Sequence, residues 1–383
     1  MKTCLLRAAL LTLATSPPLL AVPPPLPAEH LTVTTLPPNN PHRLYVLDEA
    51  YDNEIDARVL LFDGDTYKRL GQIGAGFNPG FNLSPDGKTT IVGTTYFARG
   101  SRGKRTDVVE FTDNTNLTVG HEIVLPAKRA ITVPTYFNLG YSLDSHFVYV
   151  SYITPAASFG VLDPTKYSVI DEIDTAGCVL TIPSGPNRVS SICESGRLLT
   201  VTLNDQGHEA SRAMSDPFFD PDKDPVFAQG LPMNEGHAFI SFLGDVHEVD
   251  LSGPQPVFHP AWSLLNAADK AQGWRPGGMQ AGAIHKKLGK LFVPMHRGGE
   301  GTHKAAGTEI WEFDMKRHQR VARWPLAALK LDAVLAIQVT QDDSPILFAA
   351  TEKSDLAVID ALTGQLRHVE KHFGQTPWFM MNP

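Results

Sequence analysis

The feature of this chain that most restricts its fold is a set of short apolar runs that recurs along nearly its whole length. Each unit has one apolar or alternating run, a second run that in most units ends in Asp, and in five units a third run. The units begin at residues 43, 89, 147, 197, 237, 290 and 345, so neighbouring starts lie 40 to 58 residues apart. This period is typical of β-propeller blades, whose apolar faces are covered only when the blades stack around a common axis.

We therefore predict an all-β protein, a seven-bladed β-propeller with four-stranded antiparallel blades that forms one domain over residues 41–383. A pair of irregular β-sandwiches is the alternative, but it leaves the Asp-ended runs at this period without an explanation. The 31 Gly and 30 Pro residues support a chain that turns often. The best helix candidate is residues 261–271, with Ser263 or Asn266 as the N-cap.

The first residues have the layout of a secretory signal peptide. Lys2 and Arg7 precede an apolar run that is too short to span a bilayer, and small residues and prolines follow it. We predict a signal peptide over 1–21 and a Pro-rich extended leader over 22–40, with an uncleaved membrane tether as the alternative. The formal net charge of −8 argues against nucleic-acid binding, since such proteins present a basic surface to phosphates.

If the chain is exported, its three cysteines are not equivalent. Cys4 lies in the signal region and would be removed with it, which leaves Cys178 and Cys193. A pair of cysteines in an oxidising compartment favours a disulfide between them. A metal-binding pair is the alternative, but neither a C-x-x-C spacing nor a nearby pair of histidines supports it.

No motif of a self-contained catalytic site is present. The chain lacks G-x-S-x-G, H-E-x-x-H, Walker and EF-hand sequences. The spacing of His285, His296 and His303 fits no short metal motif, so we expect no metal site and surface or strand-end roles for these histidines. A basic patch between two strands suits either an acidic partner or a solvated hairpin tip. The patch comprises Arg99, Arg102, Lys104 and Arg105.

One stretch late in the chain is more specific than the repeats. The sequence GWRPGGMQ at 273–280, followed by His285 and by HKAA at 303–306, resembles the heavy (large) subunit of the tryptophan tryptophylquinone-dependent amine dehydrogenases, the methylamine and aromatic amine dehydrogenase family. The resemblance extends from about residue 44 to residue 373. The motif residues that carry it are Gly273, Trp274, Arg275, Pro276, Gly277, Gly278 and Gln280.

This resemblance implies a subunit of a larger enzyme. In the family the heavy chain is a seven-bladed propeller, and two heavy chains pair with two small light chains in a heterotetramer in the periplasm. The light chain carries tryptophan tryptophylquinone and the catalytic base, so no catalytic residue and no cofactor are expected in this chain. The complex oxidises a primary amine to an aldehyde and ammonia, and its electrons pass to a small copper protein or a cytochrome.

The resemblance also implies that the loop at 48–58 lines the substrate channel, where the family has an aromatic residue and Tyr51 is the nearest candidate. An ordinary loop tyrosine is the alternative. Trp274, Trp311 and Trp324 are expected to be packing residues. The rival to the whole interpretation is a stand-alone periplasmic propeller, either a binding protein or a lactonase-like hydrolase. Such a hydrolase needs Glu, Asp and His that converge from several blades.

Overall fold

Almost every regular element in the described part of the chain, residues 34–130 and 134–383 of a computed structural model, is a β-strand. Residues Thr35–Pro383 form one compact unit. The signal peptide expected over 1–21 lies outside the described residues, as does most of the leader expected over 22–40. The first strands are β1 (Arg43–Asp48), β2 (Ala57–Asp63), β3 (Lys68–Leu83), β4 (Thr89–Phe97), β5 (Arg105–Asp113) and β6 (Thr118–Leu125).

The remaining strands are shorter on average and follow in groups along the chain. They are β7 (Leu139–Tyr141), β8 (Val148–Tyr152), β9 (Ser158–Asp163), β10 (Ser168–Asp174), β11 (Cys178–Pro183), β12 (Arg188–Cys193), β13 (Leu198–Leu203), β14 (Glu209–Met214), β15 (Leu231–Pro232), β16 (Gly236–Ile240), β17 (Asp245–Asp250), β18 (Val257–Phe258) and β19 (Trp262–Ser263). After a short α-helix come β20 (Trp274–Pro276), β21 (Ala283–His285), β22 (Lys290–Arg297), β23 (Glu309–Asp314), β24 (Gln319–Pro325), β25 (Val334–Val339), β26 (Ile346–Thr351), β27 (Leu356–Asp360), β28 (Leu366–Glu370) and β29 (Pro377–Met381).

These strands form several antiparallel sheets of mostly four strands. The sheets have the orders β10-β9-β8-β7, β11-β12-β13-β14, β15-β16-β17-β18, β20-β22-β23-β24 and β25-β26-β27-β28, with β19 added to β17 and β21 to β22. The first sheet has the order β29-β1-β2-β3-β4-β5-β6. Within it β3 changes partner, since residues 68–76 pair with β2 and residues 77–83 pair with β4. The all-β prediction is confirmed, and antiparallel sheets of this size are typical of a propeller.

The recurrence of Asp at the end of the second run of a unit has a structural reason. It is the last residue of its strand, and its carboxylate accepts hydrogen bonds from the backbone of the next turn. Oδ1 of Asp63, for example, accepts from the N–H groups of Asp65 and Thr66 at 3.0 and 2.8 Å. This bond pattern is an Asx-turn, which favours a tight hairpin. The same arrangement occurs at Asp113, Asp163, Asp250, Asp314 and Asp360.

The core lies between successive sheets and not within one sheet. One cluster combines Leu44, Phe62 and Met380 of the first sheet with Phe348 of β26, all fully buried. The rings of Phe62 and Phe348 meet edge to face with centroids 6.4 Å apart. Further clusters join the other neighbouring sheets in the same way. Each sheet therefore covers the apolar face of the next.

Two predicted boundaries differ from the structure. The repeat that starts at residue 197 coincides with β13, the third strand of its sheet, while the strand equivalent to the other unit starts is β12. The helix expected over 261–271 is only Ala267–Ala271, called α1. It begins late because Trp262 and Ser263 pair with β17. Of the two candidate N-caps, Asn266 is correct, since its side chain accepts from the Asp269 N–H.

Candidate functional site

The 273–280 motif opens the sheet that contains β20 to β24. Its first part is β20, which pairs with the end of β22, and Arg275 lies opposite His296 there. Trp274 is buried, and its ring centroid lies 5.1 Å from that of Trp311. The guanidinium groups of Arg297 and Arg323 lie 5.0 and 4.8 Å from the centre of the Trp274 ring. The tryptophan therefore anchors the motif through packing and cation–π contacts.

The two adjacent glycines of the motif, Gly277 and Gly278, allow the backbone to approach neighbouring segments closely. A Cβ at Gly277 would lie 2.5 Å from the carbonyl oxygen of Ala305, and one at Gly278 would lie 2.5 Å from that of Leu335. Gly278 also has a φ of +109°, a conformation that side-chain-bearing residues avoid. A larger residue at either position would push the motif away from its neighbours.

Gln280 ends the motif and is fully buried. Its Nε2 donates to the Tyr136 hydroxyl at 2.6 Å and to the carbonyl of Met380 at 3.2 Å. Its Oε1 accepts from the Met380 N–H at 2.7 Å, which fixes the orientation of the amide. Tyr136 in turn donates to Gln338 at 2.8 Å. One side chain thus links the motif to β25, to β29 and to the segment before β7.

The motif borders a cavity of about 310 Å³. Gly278 and Met279 form part of its wall, and the rest comes from the loop between β22 and β23 and from segments of three other sheets. Most of these segments follow the second or the fourth strand of a sheet, and we call this end of the sheets the upper face. The apolar lining residues are Ile153, Val179, Leu180, Val226, Phe227, Ala228 and Phe242, and the polar ones are Thr135, Asn138, Gln229, His303 and Lys304.

Tyr51 lies on a different part of the upper face. It begins the 3₁₀ helix Tyr51–Asp56 between β1 and β2, and its ring centroid lies 5.2 Å from that of Trp378. Burial, together with the charges of Glu49 and Glu54, raises the pKa of Tyr51 to about 12. Tyr51 does not line the cavity beside the motif. The structure therefore does not bring these two candidate regions into one pocket.

Glu49 is a buried acid that sequence reasoning did not single out. It is 3% exposed, and its Oε1 has no hydrogen-bond partner in the described part of the chain. Burial raises its pKa to about 8, the negative charge of Glu54 acts in the same direction, and the positive charge of Arg129 opposes them. In the sequence, Glu49 follows the apolar strand β1 and begins an acidic loop. Nothing in this pattern indicates that the Glu49 carboxyl is buried.

Arg129 was also missed, because it stands alone in a Pro- and Lys-containing loop. Its side chain is buried and donates to the carbonyls of Gly93 at 2.6 Å and Asn78 at 3.1 Å. Arg105, which the sequence placed in the basic patch, is half-buried and pairs with Asp107 at 2.7 Å. The other three residues of that patch are exposed: Arg99, Arg102 and Lys104.

The predicted disulfide between Cys178 and Cys193 is confirmed. It joins β11 to β12 at a directly opposed pair of residues. Val179 and Leu180, which follow Cys178, line the cavity. The disulfide therefore fixes one wall of that cavity to the neighbouring strand.

The three histidines His285, His296 and His303 have separate environments. His285 is buried and bonds the carbonyl of Asp342 at 2.9 Å, His296 bonds the Thr302 hydroxyl at 3.0 Å, and His303 lines the cavity. The strand-end role expected for these residues is confirmed for His285, the last residue of β21, and for His296, the second-to-last residue of β22, although both side chains are buried and not at the surface. Among residues 34–130 and 134–383, no group of three or more His, Cys, Asp or Glu side chains could hold a metal ion.

A family model decides the relationship of this chain. Residues 40–382 match the model described as methylamine dehydrogenase heavy chain (MADH). The chain belongs to the methylamine dehydrogenase heavy chain family. The match includes all the strands and the 273–280 motif.

Relatives of this heavy chain family are similar over most of their length. The methylamine dehydrogenase heavy chain of Methylobacillus flagellatus is 26% identical over 352 residues, which cover 91% of this chain and 86% of the relative. That of Paracoccus versutus is 26% identical over 348 residues, 90% of this chain and 80% of the relative. The methylamine dehydrogenase heavy chain of Methylophilus methylotrophus is 24% identical over 352 residues, which cover 91% of this chain and 85% of the relative.

Solved structures outside the heavy chain family share the fold at lower identity. The β-propeller domain of Cps50 (Swd1) from Myceliophteria thermophila has a TM-score of 0.54 and 9% identity, over 84% of this chain and 93% of that one. The dihydro-heme d1 dehydrogenase NirN has a TM-score of 0.56 and 15% identity, over 92% of this chain and 78% of that one. These likenesses show a propeller fold and nothing about activity. No helix in the described part of the chain is long and apolar enough to cross a membrane.

Proposed function

We propose that this chain is the heavy subunit of a periplasmic amine dehydrogenase that oxidises a primary amine to an aldehyde and ammonia. Two copies would pair with two quinone-bearing light subunits, and electrons would pass to a small copper protein or a cytochrome. The observation that carries the proposal is the family match over residues 40–382. The signal peptide over 1–21 and the leader over 22–40 would deliver the chain to the periplasm.

We further propose that the sheets form seven blades closed into a ring. The first sheet counts as two blades that share β3, and with the other five sheets this makes seven. The pairing of β29 with β1 supports closure, because the last strand of the chain then completes the first blade. The shared core of Phe62 and Phe348 supports it too, since it joins the first blade to the last.

Tryptophan tryptophylquinone would belong to the light subunit and would supply the oxidising group when that subunit is bound. The buried tryptophans of this chain serve another purpose. Trp311 donates to Glu309 at 2.6 Å and carries the guanidinium of Arg320 4.2 Å above its ring. With Trp274 packed against it, this pair is a structural anchor.

The heavy chain would contribute recognition and exclusion of water. We propose Tyr51 as the aromatic residue of the substrate channel, held in place by its ring contact with Trp378. The motif 273–280 would keep the upper face in shape for the light subunit, because Gln280 links three neighbouring segments. Rigid support of this kind positions a reactive site on a partner without taking part in its chemistry.

Purification of the native protein tests this proposal. We expect a small subunit to co-purify with the chain, a visible quinone absorption, and reduction of an artificial electron acceptor when a primary amine is added. Mass measurement of the mature chain would locate its first residue and the link between Cys178 and Cys193. A colourless protein without a small subunit, unable to oxidise methylamine or an aromatic amine, would overturn the proposal.

A further inference from the structure

The cavity on the upper face is lined in part by Gln229, a buried amide whose hydrogen bonding is incomplete. Gln229 is 6% exposed, and its Nε2 donates to the carbonyl of Met279 at 2.6 Å. A carbonyl oxygen can only accept, so this bond fixes which end of the amide faces Met279. Oε1 is then left as the free end, and it has no hydrogen-bond partner in the described part of the chain. A buried acceptor without a donor is a place where a ligand can supply one.

The walls around this acceptor suit an aromatic guest. The rings of Phe227 and Phe242 lie 4.9 Å apart at a steep angle, and the imidazole of His303 stacks on Phe242 at 4.0 Å. Met279 adds a thioether, which contacts aromatic rings favourably. At about 310 Å³ the cavity is at the small end of ligand pockets, so it suits one ring or one fused ring pair.

The charges around the cavity disfavour a cation. None of the described residues that line it is Asp or Glu, while Lys304 lies on its wall. Burial and the charge of Lys304 lower the pKa of His303, so its ring is neutral near pH 7. A carboxylate guest is disfavoured as well, because it would place acceptor oxygens against the acceptor of Gln229.

We propose that this cavity binds a neutral aromatic group with one N–H or O–H donor, an indole or a phenol, whose donor bonds Oε1 of Gln229. The same chemistry has two sources, a free compound and a Trp or Tyr side chain of a bound partner. The site is separate from Tyr51 and does not depend on the proposed amine oxidation.

Calorimetric titration of the full chain with matched probes tests the donor. Indole and phenol should bind about three- to tenfold more tightly than 1-methylindole and anisole, which keep the ring but lose the donor, the factor expected for one hydrogen bond. Benzylammonium and benzoate should bind more weakly than indole. Equal affinity for indole and 1-methylindole, no detectable indole binding, or tighter binding of benzylammonium would each overturn the proposal.

Variants separate the site from general effects on folding. Gln229→Met should bind indole and 1-methylindole equally, since it removes the acceptor and keeps an apolar chain of similar length. The Ile153→Trp variant should fold, because Ile153 is 42% exposed at the cavity wall. It should lose indole binding because the larger ring fills the entrance of the cavity. Val124→Trp, on the 61% exposed Val124 of β6, is the control and should bind indole as wild type does. Indole binding that Ile153→Trp and Gln229→Met leave unchanged would place it elsewhere and overturn the proposal.

Titration of the complex with its light subunit separates the two sources. If indole binds the complex with the same affinity as it binds the chain alone, the occupant is a free compound. Binding to the chain alone, with none to the complex, would indicate an aromatic side chain of the partner. Both results support the site, and failure of the complex to oxidise amines would contradict the proposed function while leaving this test intact.

Discussion

Gln280 and Met380 exchange two hydrogen bonds although 100 residues separate them in the chain, with the Met380 N–H donating to Oε1 at 2.7 Å and Nε2 donating to the Met380 carbonyl at 3.2 Å. Met380 lies in β29, whose pairing with β1 brings the two ends of the fold together. The family motif therefore supports the strand that pairs the C-terminal end of the fold with β1.

Replacement of Gln280 tests this support. Gln280→Leu leaves the Met380 N–H without its acceptor in a buried site, which costs about 1–3 kcal/mol. We expect a lower melting temperature in thermal unfolding followed by circular dichroism. The control is Gln206→Leu at an exposed turn residue, which should unfold as wild type does. Equal stability of the two variants would contradict a structural role for Gln280.

Two glycines with positive φ should respond differently to alanine. Gly278→Ala places its Cβ 2.5 Å from the Leu335 carbonyl at a φ of +109°, so we expect it to destabilise the fold by about 3 kcal/mol or more. Gly289 has a φ of +60° and open space around its Cβ position. Gly289→Ala should therefore cost only about 1 kcal/mol. Chemical denaturation of both variants measures the difference, and a reversed order would refute the steric argument.

The disulfide should stabilise the fold by restricting the unfolded chain. Its cysteines are 15 residues apart, a loop for which the chain-entropy model gives about 3 kcal/mol. We expect the double variant Cys178→Ala, Cys193→Ala to lose about that much in urea unfolding. Addition of a reductant should weaken wild type and leave the double variant unchanged. A reductant effect of similar size on both proteins would assign the loss to something other than this bond.

Glu49 should make stability depend on pH. Its folded-state pKa of about 8 lies above the value of an unfolded glutamate, so the folded protein holds a proton that the unfolded chain releases. The stabilisation is fully present below about pH 4.3, the unfolded value, and is lost as pH rises toward 8. Glu49→Gln cannot release this proton, so its unfolding free energy should vary less between pH 5 and 8. The exposed Glu300→Gln is the control and should retain the wild-type slope.

Tyr51 should affect which amine is used. In the complex with its light subunit, Tyr51→Ala removes the ring that contacts Trp378, and we expect the ratio of kcat/KM for aromatic and aliphatic amines to change about tenfold. Tyr51→Phe keeps that ring and should leave the ratio near its wild-type value. Steady-state kinetics with methylamine and benzylamine measure both. An unchanged ratio in Tyr51→Ala would make Tyr51 an ordinary loop residue.

The sequence by itself determined the repeat, the all-β class and the bond between Cys178 and Cys193. These features are local or follow from a period. The Asp-ended runs predict turns because the carboxylate can accept from N–H groups of the same hairpin, as Asp63 does from Asp65 and Thr66. The short first strands of the sheets were harder to see. β7 and β15 have three and two residues, too few for any alternation to show.

Only the tertiary structure decided what surrounds each side chain. Gln229 and Gln280 are the same residue type, but their environments differ. Oε1 of Gln229 has no donor in the cavity, whereas Oε1 of Gln280 accepts from the N–H of Met380, 100 residues away. Glu49 and Glu54 are close in one acidic loop, and only the folded chain shows that Glu49 is the buried one. The physical reason is that burial and hydrogen bonding depend on partners supplied by distant segments, and a local pattern carries no record of them.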